Sequence, residues 1–335
     1  MQWAVVLVVV LALAFDVSNG FHDSSNVTAA MVATGAATPG GAVALCAVFN
    51  LLGPVLAGTA VADTVGGIIK VNPASTLGIL VAALGAALTW NLLTWWRGLP
   101  SSSSHALVGG LVGAAVVDSG VSAVNWGGLE GIRPVGVWGV LVGLAVSPLV
   151  GALAGWAVEL LARRSLRRAR QTVQKPILRS EWVTGSALAF SHGTNDAQKT
   201  MGVITLALLV SGQVHAFVVP LWVKVACATA LTVGTAAGGW RIASTIGRGI
   251  YRIRPLDGLV SQGSSAGVIG VAAFLGAPVS TTHVVASSVV GVGAAQRRRH
   301  VRWPVVQEIL LAWLVTLPSC AVMGAVGGLV ARGLA

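Results

Sequence analysis

Eight consecutive residues, Asn19-Gly-Phe-His-Asp-Ser-Ser-Asn26, gather two amides, an imidazole, a carboxylate and two hydroxyls inside a largely apolar stretch running from 2 to 37. A carboxylate at bilayer depth costs about 3 kcal/mol by insertion scales unless it faces protein or water. Gly20 permits a break in a helix at that point, and backbone groups freed by a break need a polar cavity. The plainer reading is a kinked helix stitched to a neighbour by hydrogen bonds. A second cluster, Ser191-His-Gly-Thr-Asn-Asp-Ala-Gln-Lys-Thr200, repeats the pattern and adds a cation. In a helix, Asn195, Asp196 and Lys199 share one face. Lys199 then either pairs with Asp196 within that helix or offers its charge to a bound anion.

Two hydroxyl runs carry a different chemistry. Ser101 to Ser104 and Ser280 to Thr282 each lie just after a proline, at 100 and 278, and before an apolar segment. Ser and Thr in that position cap helix N-termini. Two such N-termini aimed inward from opposite sides present N–H groups, hydroxyls and positive dipole ends, which suits an oxyanion. Ser102, Ser103, Ser104, Ser280, Thr281 and Thr282 are the candidates, with capping alone as the bland alternative. Four histidines, His22, His105, His192 and His283, come in repeat-related pairs beside these clusters. Beside buried carboxylates, groups with a reference pKa near 6.5 fit proton handling, and no spacing marks a zinc site.

The elements that must position these groups are membrane spans. Hydrophobic residues are 55% of the 335 positions and charged residues 9%, against about a quarter charged in a soluble domain. Windows of roughly 20 mostly apolar residues, the length a span needs, fall near 2–37, 41–62, 74–96, 100–118 and 134–161. They resume near 182–210, 216–239, 256–276, 279–295 and 303–331. The first window has no Lys or Arg before Lys70, so it reads as a span rather than a cleaved leader. Cys46, Cys227 and Cys320 all lie in apolar stretches, which argues against disulfides.

The charge of +11 is placed by topology. With the N-terminus outside, Arg97 and three groups share the cytoplasmic side. They are Arg163 to Arg179 in the centre, Arg241 to Arg254, and Arg297 to Arg302, while Lys70, Arg133 and Arg332 fall outside. That is a positive-inside asymmetry. The basic excess is therefore a topology signal and a contact for anionic membrane lipid, not a nucleic-acid surface. Both termini are expected outside the cytoplasm of a multi-pass plasma-membrane protein.

The chain also repeats. The first cluster answers the second, Pro100-Ser-Ser-Ser-Ser-His105 answers Pro278-Val-Ser-Thr-Thr-His283, and Ser147-Pro148 answers Pro318-Ser319, all in the same order. Five crossings per half is odd, so the second half is inserted upside down. Inverted repeats with interrupted polar spans mark secondary transporters, whose site lies near the midplane. The fold expected is an all-α polytopic membrane protein of two inverted repeats, about five segments each, with interrupted helices or hairpins at the midplane. Its units are a first repeat 1–161, a basic cytoplasmic linker 162–180 and a second repeat 181–335. Duplication of every polar cluster argues against an enzyme, and no resident cofactor is expected.

These motifs resemble the PiT family of inorganic phosphate transporters over nearly the whole chain. Asn19 to Asn26 resembles the family signature of the first half, and Ser191 to Lys199 its partner. The Gln198-Lys199 form is similar to the bacterial low-affinity Pit branch, which implies proton-coupled uptake of metal–phosphate complexes. Ser24-Ser25, Ala197 and the short linker depart from the common pattern. The resemblance implies that Asn19, Asp23, Asn26, Asn195 and Asp196 hold the coupling cation, with Asp23 and Asp196 as metal ligands. The six hydroxyls would hold phosphate. Members are often homodimers. The alternatives are a sulfate permease of the same superfamily and a sodium-coupled phosphate symporter. Phosphate still carries a proton near neutral pH and can donate to a carboxylate, whereas sulfate only accepts.

Overall fold

The computed structural model describes residues 2–333 apart from 71, 74, 131, 132, 135, 170, 240, 241 and 244. Arg170 and Arg241, counted above among the basic loop residues, lie outside the described residues. The ten apolar windows become helices. The first half holds α1 (Gln2–Asp23), α2 (Ser25–Thr34), α3 (Pro39–Leu56), α4 (Ala60–Gly66), α5 (Thr76–Arg97), α6 (Ser103–Ser119) and α7 (Gly136–Ser165). The second holds α8 (Gln174–Val210), α9 (Leu221–Ala237), α10 (Pro255–Phe274), α11 (Thr281–Gln296) and α12 (Trp303–Gly333). Among the described residues, the strands are a two-residue hairpin, Leu129–Glu130 against Arg133–Pro134, in the α6–α7 connection. Of the stretch 162–180, the described residues form the end of α7, a short connection and the start of α8.

Local sequence sets the ends. Pro39 opens α3, and the Thr38 hydroxyl accepts from Gly41 N at 3.2 Å, a cap that satisfies one orphan donor. Ser102 and Ser280 cap α6 and α11 in the same way, accepting from His105 N and His283 N. Gln2–Thr34, α3, α5, α7 and α12 are each long and apolar enough to cross a membrane. The outward faces of the bundle are apolar as well. Phe274, Leu314 and Leu161 stand exposed, while Asp16, Asp23, Asp196, Glu159 and Glu181 are buried. That arrangement inverts the polarity of a water-soluble fold.

The main helix contacts cross between halves in matched pairs. α1 packs on α9 as α8 packs on α3, and α6 packs on α12 as α11 packs on α7. Along the seam between α1–α2 and α8, partners run in opposite directions. Asp16 meets Thr200, Asn19 meets Asp196, Asp23 faces His192, and Thr34 meets Glu181. The first and second repeats are thus antiparallel at their signatures, as an odd number of crossings requires.

One expectation is corrected here. The break in the first signature is a single turn at Ser24, not at Gly20, and helical hydrogen bonds run through it. Ser24 N still donates to Gly20 O at 3.0 Å, and Thr28 N to Ser24 O at 3.1 Å. In the second half α8 passes through its cluster unbroken. Gly20 serves close packing instead. A Cβ there would lie 2.2 Å from Leu231 O, and one on the facing Gly234 would lie 2.0 Å from Val17 O. The related crossing of α8 on α3 uses Gly193 and Gly53, whose Cβ atoms would meet Asn50 O at 2.7 Å and Phe190 O at 2.4 Å. Interhelical packing within a membrane relies on such small residues, because lipid is as apolar as the helices.

Gly20→Val or Gly234→Val should therefore force α1 and α9 apart and destabilise the fold by about 1–3 kcal/mol, the usual range for overpacking. Gly85→Ala, where a Cβ meets nothing within 4 Å, should be neutral. Thermal unfolding midpoints of the detergent-purified variants check the contrast.

Candidate functional site

The antiparallel seam brings the two signature carboxylates together. Asp23, His192 and Asp196 each offer an atom within 4.8 Å of the others, and all three are buried. His192 Nε2 is 3.0 Å from Asp196 Oδ2 and 4.0 Å from Asp23 Oδ2. The ring is oriented from behind by Asn50 of α3, whose Oδ1 accepts from His192 Nδ1 at 3.1 Å. Asn50 is itself fixed. Its amide donates to the Thr235 hydroxyl at 2.9 Å, and Thr235 donates onward to Leu231 O. With Nδ1 held as a donor, Nε2 is the nitrogen left to gain or lose a proton between the carboxylates.

Each carboxylate is also met by the hydroxyl helix of the second half. Thr282 donates to Asp23 Oδ1 at 3.0 Å, and Thr281 to Asp196 Oδ2 at 3.1 Å. Asn26 donates to the Thr282 hydroxyl at 3.2 Å, and Asn19 to Asp196 Oδ2 at 3.4 Å. Asn195 donates to Ala277 O at 3.3 Å. Four buried acceptor oxygens in this set then have no hydrogen-bond partner: Asn19 Oδ1, Asp23 Oδ2, Asn26 Oδ1 and Asn195 Oδ1. Leaving a buried polar atom unmet costs about 1–3 kcal/mol. Unmet amide and carboxylate oxygens of this kind have the chemistry of all-oxygen donors to a cation.

Lys199 occupies the repeat position of Asn26, since the step from Asp23 to Asp196 also carries 26 onto 199. Its ammonium donates to Asp196 Oδ1, to Ser104 Oγ at 2.6 Å and to Val279 O at 3.0 Å. All three protons are used. The pairing with Asp196 within one helix is present, and the same ammonium ties α8 to the first turn of α6. Asn26 with Thr282 and Lys199 with Ser104 are therefore equivalent contacts in the two halves.

Not every candidate joins this cluster. Aligning the glycines and aspartates of the two signatures sets Asn19 against His192 and His22 against Asn195. The first two histidines are thus not counterparts, which corrects the pairing read from the motifs. His22 Nδ1 lies 2.6 Å from Asp23 Oδ1, and its Nε2 is 3.3 Å from both Thr94 and Ser101. His105 and His283 make no ion pair with either aspartate. Their rings stack in a column with Trp313, at centroid distances of 4.7 and 3.7 Å, and Trp313 donates to Pro100 O. They brace the two hydroxyl helices against each other. Ser102 is engaged as a cap and with His105 Nδ1, Ser280 as a cap, and Ser103 is buried in the first turn of α6. Asn50, Thr94 and Thr235 were missed. Each is an isolated polar side chain or one of a few scattered along an apolar span, a pattern that chance also produces, and only its packing reveals its target.

A model of the phosphate transporter family matches residues 19–181 and again 167–324. The chain belongs to the phosphate transporter family. It is 46% identical over 323 residues to a probable low-affinity inorganic phosphate transporter of Mycobacterium bovis, covering 96% of this chain and 76% of that one. It is 40% identical over 326 residues to the protein of the same description from Bacillus subtilis, covering 96% and 95%. A solved structure titled "The sodium-dependent phosphate transporter" aligns over the full length of both chains with a TM-score of 0.87 at 23% identity, a likeness of fold. The chain is accordingly a membrane protein of a transporter family and not of an enzyme family.

The geometry separates the two aspartates energetically. Removing the charge of Asp196 leaves Lys199 buried with no counter-ion, a change worth about 3–5 kcal/mol in buried pairs. Asp23 has no such partner. Asp196→Asn should lower the unfolding midpoint well below that of Asp23→Asn, and adding Lys199→Asn should restore most of the loss. A double-mutant cycle on thermal stability reads this directly.

Proposed function

We propose that this member of the phosphate transporter family is a proton-coupled symporter of inorganic phosphate, able to carry it as a metal–phosphate complex. It sits in the plasma membrane with both termini outside. The observation that carries the reading is Lys199. It stands where the other half has an amide, and supplies a built-in monovalent cation to Asp196 and Ser104. A transported sodium ion is then not needed to neutralise that carboxylate. His192 and Asp23 remain as the groups whose protonation changes.

In this reading phosphate sits between the first turns of α6 and α11. Ser103, Ser104, Thr281 and Thr282 are buried there at two helix N-termini, where backbone N–H groups and positive dipole ends favour an anion. Hydroxyls and dipoles hold the anion without a permanent charge dedicated to it, which helps release. The protonated oxygen of phosphate donates to Asp23 Oδ2, an acceptor otherwise unmet. Sulfate has no proton to offer and meets the carboxylate as a like charge. The amide oxygens of Asn19, Asn26 and Asn195 take the divalent metal when it travels as part of the cargo. Alternating access exposes the site first to one side and then to the other, with the paired crossings as pivots. The competing reading is sodium symport, favoured by the same unmet oxygens.

Uptake of labelled phosphate into proteoliposomes under separate proton and sodium gradients decides between them. Wild-type uptake should follow protons and ignore sodium, with arsenate competing and sulfate not. Asp23→Asn should reduce it tenfold or more, equivalent to about 1.4 kcal/mol. Lys199→Asn should weaken proton coupling and introduce sodium dependence. Sodium-driven uptake by the unaltered protein would defeat the proton reading.

A further inference from the structure

The two halves differ sharply in one place. In the second half, the interfaces of α10 with α8 and α11 carry Glu181, Ser261, Gln262, Ser264, Ser265 and Ser288, all buried. Applying the same repeat steps, from Asp23 to Asp196 and from His105 to His283, the equivalent residues of the first half are Val8, Ala83, Leu84, Ala86, Ala87 and Gly110. At these six positions one copy of the packing carries no polar side chain. The fold does not require the polarity of the other copy.

Glu181 is the costliest member. Its side chain is fully buried, and no Lys or Arg nitrogen among the described residues lies within 4 Å of it. Thr34 donates to Oε2 at 2.7 Å, and Oε1 has no partner. The groups facing it are few. From α2 comes Thr34. From α10 comes Gly258, so close that a Cβ there would lie 2.8 Å from Oε2. Next to Gly258 is Asp257, whose Oδ1 is bound by Arg163 and Gln296, which also hold Glu159. An unpaired carboxylate in such surroundings is stable only with a proton on it, or with one readily gained.

Its position is at one end of the seam that holds the coupling groups. From the His192 level to Glu181 is 11 residues of one helix, about 16 Å at 1.5 Å per residue. Between them Gln262 donates to Val27 O and accepts from Thr184, and the Ser265 hydroxyl is buried without a partner. Beside Glu181 the indole of Trp182 reaches Ala36 O, and beyond it come the basic residues Arg179 and Lys175.

We propose that Glu181 is the proton-release residue of the transport cycle. It accepts the proton that arrives with phosphate at the central site, through water along this polar interface, and it passes that proton to bulk water at the arginine-rich face. The balance is a single proton: Glu181 gains it as the central site loses it, then returns to carboxylate on release. The proposal rests on the proton-symport reading. It adds a one-sided route, since the first half has Val8 where the second has Glu181 and is apolar at the five other equivalent positions.

The test uses the full chain in proteoliposomes with a trapped pH dye. Three quantities are read: phosphate uptake under a pH gradient, lumenal acidification during uptake, and phosphate–phosphate exchange at equal pH, which moves no net protons. Glu181→Gln should cut gradient-driven uptake and acidification at least tenfold and leave exchange within about twofold, while Glu181→Asp should recover most of the uptake. Equal loss of exchange and uptake in Glu181→Gln, or wild-type acidification by it, overturns the proposal while the symport reading stands. Absence of acidification by the wild type overturns both.

Discussion

Two carboxylates side by side inside an apolar bundle repel each other, and most of the architecture around Asp23 and Asp196 answers that repulsion. In a medium of low dielectric such a pair does not stay doubly charged without compensation. Asp196 is compensated by a covalently tethered cation, Lys199, and by hydrogen bonds from Thr281 and Asn19. Asp23 receives donors from Thr282 and His22 but no permanent cation. The site is thus electrically asymmetric within a nearly symmetric scaffold. One carboxylate is spoken for, and the other is left to respond to what enters.

Bringing those groups within reach depends on how closely the helices approach. At the two symmetry-related crossings, glycines lie against the backbone of the partner helix, Gly20 against Gly234 and Gly193 against Asn50. A side chain at either position would push the signature helices outward, and the hydrogen bonds across the seam would lengthen beyond use. Packing and charge placement are therefore one design. The glycines of the signatures keep the carboxylates within range of the opposite half, and hydroxyls and amides from that half then make them tolerable. The column of His105, His283 and Trp313 adds a brace between the two hydroxyl helices.

The exchange of partners between halves also gives the bundle two equivalent interfaces flanking one site. A transporter needs two such interfaces, one for each side of the membrane. Within each half a further interface differs in chemistry: Val8, Leu84 and small residues stand in the first half where the second has Glu181, Gln262 and serines.

Much of this was written in the sequence. Apolar windows separated by charge gave the helices because burial of backbone polar groups in lipid leaves few other solutions. The duplicated motifs gave the inverted halves, because an odd number of crossings inverts the second copy. Asp23, Asp196, Lys199 and the hydroxyl runs stood out because polar residues are rare at such depth. What the sequence left open was decided by packing in three dimensions. Whether Gly20 breaks a helix or admits a neighbour depends on what lies across from it, here Leu231 and Gly234. Which histidine serves the carboxylates depends on direction along a helix face, and it selects His192 and His22 over the stacked pair. Asn50 and Glu181 were indistinguishable from incidental polar residues until their neighbours were in place. A residue type announces what chemistry it can do; only the tertiary contacts fix which partner it does it with.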